Sequence, residues 1–145
     1  DVVIGIESSG LHSNGYTLIN DMLSRHKIFY KEMPELLTPT TIYAPLVQSL
    51  LDEVPILGMA HITGGGLPEN LPRCLPEGLT VDVDYSAWDR PELFNKIQQA
   101  GDITEEEMRN VFNLGIGFCI VVPPSVVEDT QNLINMKSWI IGEVK

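Results

Sequence analysis

Only two of the 145 residues are cysteines. Cys74 lies in a proline-flanked stretch and Cys119 inside an apolar run, with neither metal-ligand spacing nor the density of a disulfide framework. Both are expected to be structural thiols. Basic residues are also scarce: nine Lys and Arg stand against twenty Asp and Glu, a formal net charge of -11. No cationic cluster relieves that charge, so nucleic-acid binding is excluded. No apolar run approaches the roughly 20 residues of a membrane span. The first ten residues carry neither a basic n-region nor a cleavage site, which reads as a cytoplasmic protein with no membrane partner. No serine or cysteine has an activating context for covalent catalysis. The carboxylates do not assemble into a metal site: Glu105, Glu106 and Glu107 read as a solvated first helical turn, and Asp82 with Asp84 as an exposed strand face.

What remains is ordinary globular composition, 43% apolar and 20% charged, in a length suited to one domain burying roughly two thirds of its unfolded surface. With so few cations, an anionic ligand has to be held by backbone N–H groups, helix N-termini or a bound metal ion. That directs attention to glycine-rich loops.

Residues 2–6 are apolar and β-branched and predict a strand. Tyr16, Ile19 and Leu23 have helical spacing, with Asn14 placed as N-cap and an end near His26. Tyr43 to Val54 form an apolar stripe with Pro45 in the first turn and Pro55 closing the helix. Residues 56–60 and 79–85 predict two further strands with only a short helix between them. A capped start at Asp89 to Glu92 leads a helix to Gly101, and Thr104 with Glu107 has capping-box spacing. Residues 116–122 suit a central strand, 126–136 a helix and 138–144 a last strand. No repeat or linker divides the chain, so the expectation is one domain over 1–145, an α/β (α+β, mixed) sheet covered by helices.

Three loops could carry chemistry. The first, Ser8-Ser9-Gly10-Leu11-His12-Ser13-Asn14-Gly15, joins a strand to a helix, where free N–H groups and the helix dipole favour an anion. Ser9, Ser13, Asn14 and His12 could add selectivity, although an ordinary capped turn uses the same residues. The second, His61-Ile62-Thr63-Gly64-Gly65-Gly66, spends three consecutive glycines. That costs backbone entropy unless the main chain needs unusual angles or close approach to something. It has no Walker lysine and is not the dinucleotide fingerprint. Downstream, Asn70 and Arg73 are within reach; Arg73 could take a phosphate bidentately or pair with Glu69 four residues earlier. The third, Asn113-Leu114-Gly115-Ile116-Gly117, reads as packing at a strand start rather than as a site.

Taken together these stretches resemble the aminoimidazole ribonucleotide (AIR) synthetase family, the phosphoribosylformylglycinamidine cyclo-ligases. The resemblance rests on Gly5 to Leu18, Leu37-Thr38-Pro39-Thr40, Ala60 to Arg73, Phe112 to Gly117 and Ser138 to Val144, and so spans essentially the whole chain. Departures are mild: Thr17 for the usual serine, Asn20 for a frequent arginine, and Leu114 for a common methionine. The family's enzyme is about twice this length, and the acidic glycine- and lysine-containing motif of its N-terminal half, associated with ATP and magnesium, has no counterpart here.

The resemblance implies a three-layer α/β/α C-terminal domain, an N-terminal partner domain and a homodimeric parent. It implies ATP-dependent closure of formylglycinamidine ribonucleotide to aminoimidazole ribonucleotide, with ATP and Mg2+ used by the complete enzyme and neither held by this chain alone. By the same route His61 and His12 are the candidate catalytic groups. Ser9, Gly10, Ser13, Asn14, Gly15, Thr63, Gly64, Gly65, Gly66, Asn70 and Arg73 are candidate contacts to substrate or phosphate. A sequence that does not begin with methionine argues against a stand-alone module. The rival readings are a non-catalytic phosphate-ligand-binding module or a domain of another superfamily enzyme, such as formylglycinamidine ribonucleotide synthetase. The run Gly64 to Asn70 favours the cyclo-ligase.

Overall fold

In a computed structural model describing residues 1–145, the apolar opening segment forms strand β1, Val2–Glu7, whose interior residues Val3, Ile4, Gly5 and Ile6 are all buried. A strand buried on both faces belongs in the middle of a sheet. β1 sits third in a five-stranded sheet of order β2-β4-β1-β5-β3, formed with β2 (Gly58–His61), β3 (Val81–Val83), β4 (Ile116–Val122) and β5 (Ser138–Val144). All four pairings are antiparallel, so the mixed α/β expectation is met in its α+β form.

The alternation along β1 and β4 divides the core in two. Val3, Cys119 and Val121 point into a larger cluster with Ile19 and Met22 of α1 (Tyr16–Ser24) and Leu67 of α3 (Gly66–Asn70). Phe94 and Ile97 of α4 (Glu92–Gly101) and Met108 of α5 (Glu105–Val111) complete it. Ile4, Ile6, Ile120 and Val122 point the other way, against Leu50 of α2 (Ala44–Glu53) and against Ile134, which follows α6 (Val127–Leu133). Helices therefore cover both faces, giving three layers. Each fully buried isoleucine contributes about 1.5–3 kcal/mol.

Several local expectations shift. Asn14 does not cap α1: Gly15, left-handed at φ 72°, occupies the N-cap, because the loop has to turn back before the helix begins. Asp89 likewise does not cap α4, whose N-cap is Pro91 with no side-chain bond. Thr104 does cap α5, its Oγ1 accepting from the Glu107 N–H. β2 begins two residues later than predicted, pairing with residues 118–121 of β4, and β3 keeps only three residues, pairing with residues 142–144 of β5. α6 is shorter than 126–136 because residues 124–126 form a 3-10 turn. Cys119 is buried and Cys74 half-buried, both free thiols, and burial pushes both upward in pKa.

Register positions the loops. His61 at the end of β2 pairs with Phe118 near the start of β4, and Ile6 and Glu7 at the end of β1 pair with Phe118 and Ile116. The segments after β1, after β2 and before β4 therefore emerge at one end of the sheet.

Candidate functional site

A fully buried asparagine joins two of these loops. Asn113 Oδ1 accepts from Ser8 Oγ (3.1 Å) and from the Gly115 N–H (2.9 Å), and its Nδ2 donates to the Gly10 carbonyl (2.7 Å). The third loop is thus the brace of the first, in line with its packing role.

The first loop is built from left-handed backbone: His12 and Ser13 have φ 52° and 61°, between Gly10 and Gly15, which are also positive. Its side chains divide. Ser13 is exposed, and the buried Nδ2 of Asn14 has no protein partner. Ser9 Oγ donates to the Pro39 carbonyl at 2.6 Å, and so serves to tie the loop to residues 39–41. His12 is turned inward, 5% exposed. Its Nε2 accepts from the Ser9 N–H (3.0 Å), lies 3.4 Å from the Thr41 N, and is 3.1 Å from Ser9 Oγ, whose proton goes to the Pro39 carbonyl. Two main-chain donors aimed at one nitrogen place the neutral ring's proton on Nδ1, an atom with no partner. Burial, with His61 second, lowers the His12 pKa to about 4. A neutral ring whose lone pair is occupied is poorly placed as an acid or base, and these contacts give His12 a part in organising the loop.

His61, by contrast, is exposed. Its ring centroid lies 6.2 Å from His12, 5.9 Å from Tyr43 and 6.1 Å from Phe118. Tyr43, at the N-cap of α2, donates its hydroxyl to the Glu7 carbonyl at 2.6 Å, and burial raises its pKa strongly.

The triple-glycine turn separates into distinct roles. Gly66 (φ 59°) lies against the Arg109 carbonyl of α5, where any side chain would collide. Gly65 (φ 95°) is the N-cap of α3 and has the Glu69 side chain over it. Gly64 alone faces open space, with nothing within 4 Å of its missing side chain. Buried Asn70 holds the turn from beneath. Its Oδ1 accepts from Thr63 Oγ1 (3.0 Å), and its Nδ2 donates to the carbonyls of Gly66 (2.8 Å) and Gly64 (3.2 Å). Thr63 and Asn70 therefore shape the turn. Arg73 pairs with Glu69, the alternative noted from their i,i+4 spacing.

Two concavities flank this turn. A groove of about 570 Å³ runs between α1 and α5, lined by Gly15, Thr17, Asp21, Gly64, Glu107 and Asn110 among others. It joins the first two loops, and the opening turn of α1 offers it unpaired main-chain N–H groups. A smaller depression of about 260 Å³ on the other side holds His61, Asn70 and Arg73. The groove has two carboxylates and no cationic side chain, and no group of three or more His, Cys, Asp or Glu residues is placed to hold a metal ion. Magnesium bound in the groove would draw on Asp21 and Glu107 and on ligands from outside this chain.

Across residues 1–145 the sequence matches the profile of the family described as "AIR synthase related protein, C-terminal domain". The chain belongs to this family. It is 49% identical to the phosphoribosylformylglycinamidine cyclo-ligase of Synechococcus sp. (strain CC9902), over 99% of this chain and 46% of that protein. It is also 49% identical to the enzyme of that name from Prochlorococcus marinus (strain MIT 9313), over 100% of this chain and 46% of that protein. The chain thus spans a little under half the length of these relatives. Within this AIR synthase related domain, pattern reading passes over Asn113 as a brace, Tyr43 as a site neighbour, and the groove residues Asp21, Glu107 and Asn110. Tyr43 has the spacing of a core position, and Glu107 that of a solvated helical turn. Only tertiary contacts mark them out.

Proposed function

We propose that this chain is the C-terminal portion of a phosphoribosylformylglycinamidine cyclo-ligase, contributing one wall of a composite site for ATP-dependent closure of formylglycinamidine ribonucleotide. The observation that carries the reading is the meeting of Gly15, at the end of the first loop, with Gly64 and Gly65 of the second on one groove, in a chain whose whole length is related to enzymes of that name. In the groove, Gly64 and the start of α1 present main-chain N–H groups to an anionic part of the ligand, while Asp21, Glu107 and Asn110 accept or donate to its hydroxyl and amide groups. The nucleotide supplies the phosphoryl group that activates the formyl oxygen. A ligand that extends past the turn into the smaller depression meets His61, exposed and without a side-chain hydrogen bond, which exchanges the proton there. Orientation of the reacting atoms is the larger contribution expected of such loops.

The remaining partners follow from the same reading: an N-terminal domain carrying most of the ATP and Mg2+ contacts, a homodimeric parent and a cytoplasmic location. No helix of the structure is long and apolar enough to cross a membrane. The test is formation of aminoimidazole ribonucleotide from formylglycinamidine ribonucleotide and ATP, by this chain alone and with the separately produced N-terminal half. Product only from the mixture supports the proposal. No product from two folded, associating halves refutes it.

A further inference from the structure

Gly117 stands inside β4 without a left-handed φ, so backbone conformation does not require glycine there, and a glycine in a strand interior weakens the strand. The reason lies in its neighbours. A side chain at 117 would collide with the Tyr43 hydroxyl and with the Cε1 of His12. Tyr43 is itself fixed by its bond to the Glu7 carbonyl, while the Glu7 carboxylate is turned away to the Lys137 N–H at 3.0 Å. The three rings His12, Tyr43 and His61 form a near-equilateral triangle, with centroid separations of 5.8, 5.9 and 6.2 Å. The titratable groups facing His12 are therefore Tyr43, from the start of α2, and His61, from the end of β2. β4 presents only the bare backbone of Gly117.

We infer that Gly117 and Tyr43 are positioning residues: they clamp the His12 ring with Nε2 turned to the Ser9 and Thr41 amides, so that His61 is the one imidazole of the pair open to a ligand. This rests on the assignment of His61 to the proposed site. The clamp orders the first loop and keeps a second charge from forming beneath His61, where two imidazolium rings would repel.

The test is nitrogen NMR of the imidazoles in the full 145-residue chain, which has three histidines; His26, exposed beyond α1, serves as internal reference. In the unmodified chain His12 is expected to carry its proton on Nδ1 and to stay neutral at pH 6. Gly117→Ala is expected to push the ring off the two amides, mixing its tautomers and raising its midpoint by about one pH unit or more, with His26 unchanged. If alanine at 117 prevents folding, Tyr43→Leu removes the other side of the clamp and should give the same loss of tautomer selection. An Nε2–H tautomer in the unmodified chain, or an unchanged His12 in either folded variant, overturns the inference. These signals need no substrate. An inactive reconstituted enzyme with the clamp intact would count against the cyclo-ligase reading alone.

Discussion

Acidification should remove stability through His12 before it does so through any carboxylate with a depressed pKa. The folded ring has a pKa of about 4 against an ordinary 6.5, so the unfolded chain takes up the proton first. The contribution is therefore fully present above pH 6.5 and is lost as pH falls toward 4. At roughly 1.4 kcal/mol per pH unit, the loss approaches about 3 kcal/mol, of which about 2.5 kcal/mol is reached between pH 7 and 4.5. Denaturant unfolding at intervals across that range measures it directly. The control is His12→Asn, because asparagine tolerates the left-handed backbone at this position, can accept a main-chain N–H and does not titrate. The variant should be less stable at neutral pH but show a flatter profile from pH 6.5 to 4.5. Parallel profiles for the two proteins would refute the assignment of this acid limb to His12. Glu105 titrates lower: hydrogen bonds from Arg90 hold its pKa at about 2, so its contribution is present above 4.5 and disappears as pH falls toward 2.

Other outcomes follow from the same contacts. Gly64→Ala, with open space around it, should change unfolding free energy by less than about 0.5 kcal/mol while weakening ligand binding in the reconstituted enzyme. Gly66→Ala, pressed against the Arg109 carbonyl with positive φ, should cost about 2 kcal/mol or more in denaturant titration. Asn113→Ala leaves the Ser8, Gly10 and Gly115 groups without their buried partner. It should cost about 3 kcal/mol and speed amide exchange in residues 8–15. Arg90→Gln should flatten the stability profile below pH 4.5, since Arg90 bonds both oxygens of Glu105.

The pattern of the chain made most of the architecture legible. Continuous apolar runs in 2–6 and 116–122, helical spacing in 16–24 and 44–53, and the Thr104–Glu107 cap are local signals, and each marks an element that forms. Strand ends and caps were less legible, because they depend on neighbours distant in sequence. β2 is bounded by its pairing with residues 118–121 of β4, and Gly15 replaces Asn14 as cap because the preceding loop is tied by Asn113, about 100 residues away, and by Pro39. For the site, residue types in loops 8–15 and 61–66 were informative about location but not about role. Serine, threonine, asparagine and histidine serve equally well as ligand contacts and as internal staples, and Ser9, Thr63, Asn70 and His12 all make internal hydrogen bonds in the fold.

Composition and spacing alone exclude a membrane-spanning helix, a disulfide scaffold and a basic nucleic-acid surface, and single out two glycine-bearing loops, because charge count, run length and periodicity are properties of the chain itself. Which glycine faces open space, which histidine is buried and which carboxylates line the groove are decided only when antiparallel register brings β1, β2 and β4 to one end of the sheet. Burial and hydrogen-bond partners, which assign a side chain its protonation state and its work, belong to the folded arrangement and to no local stretch of sequence.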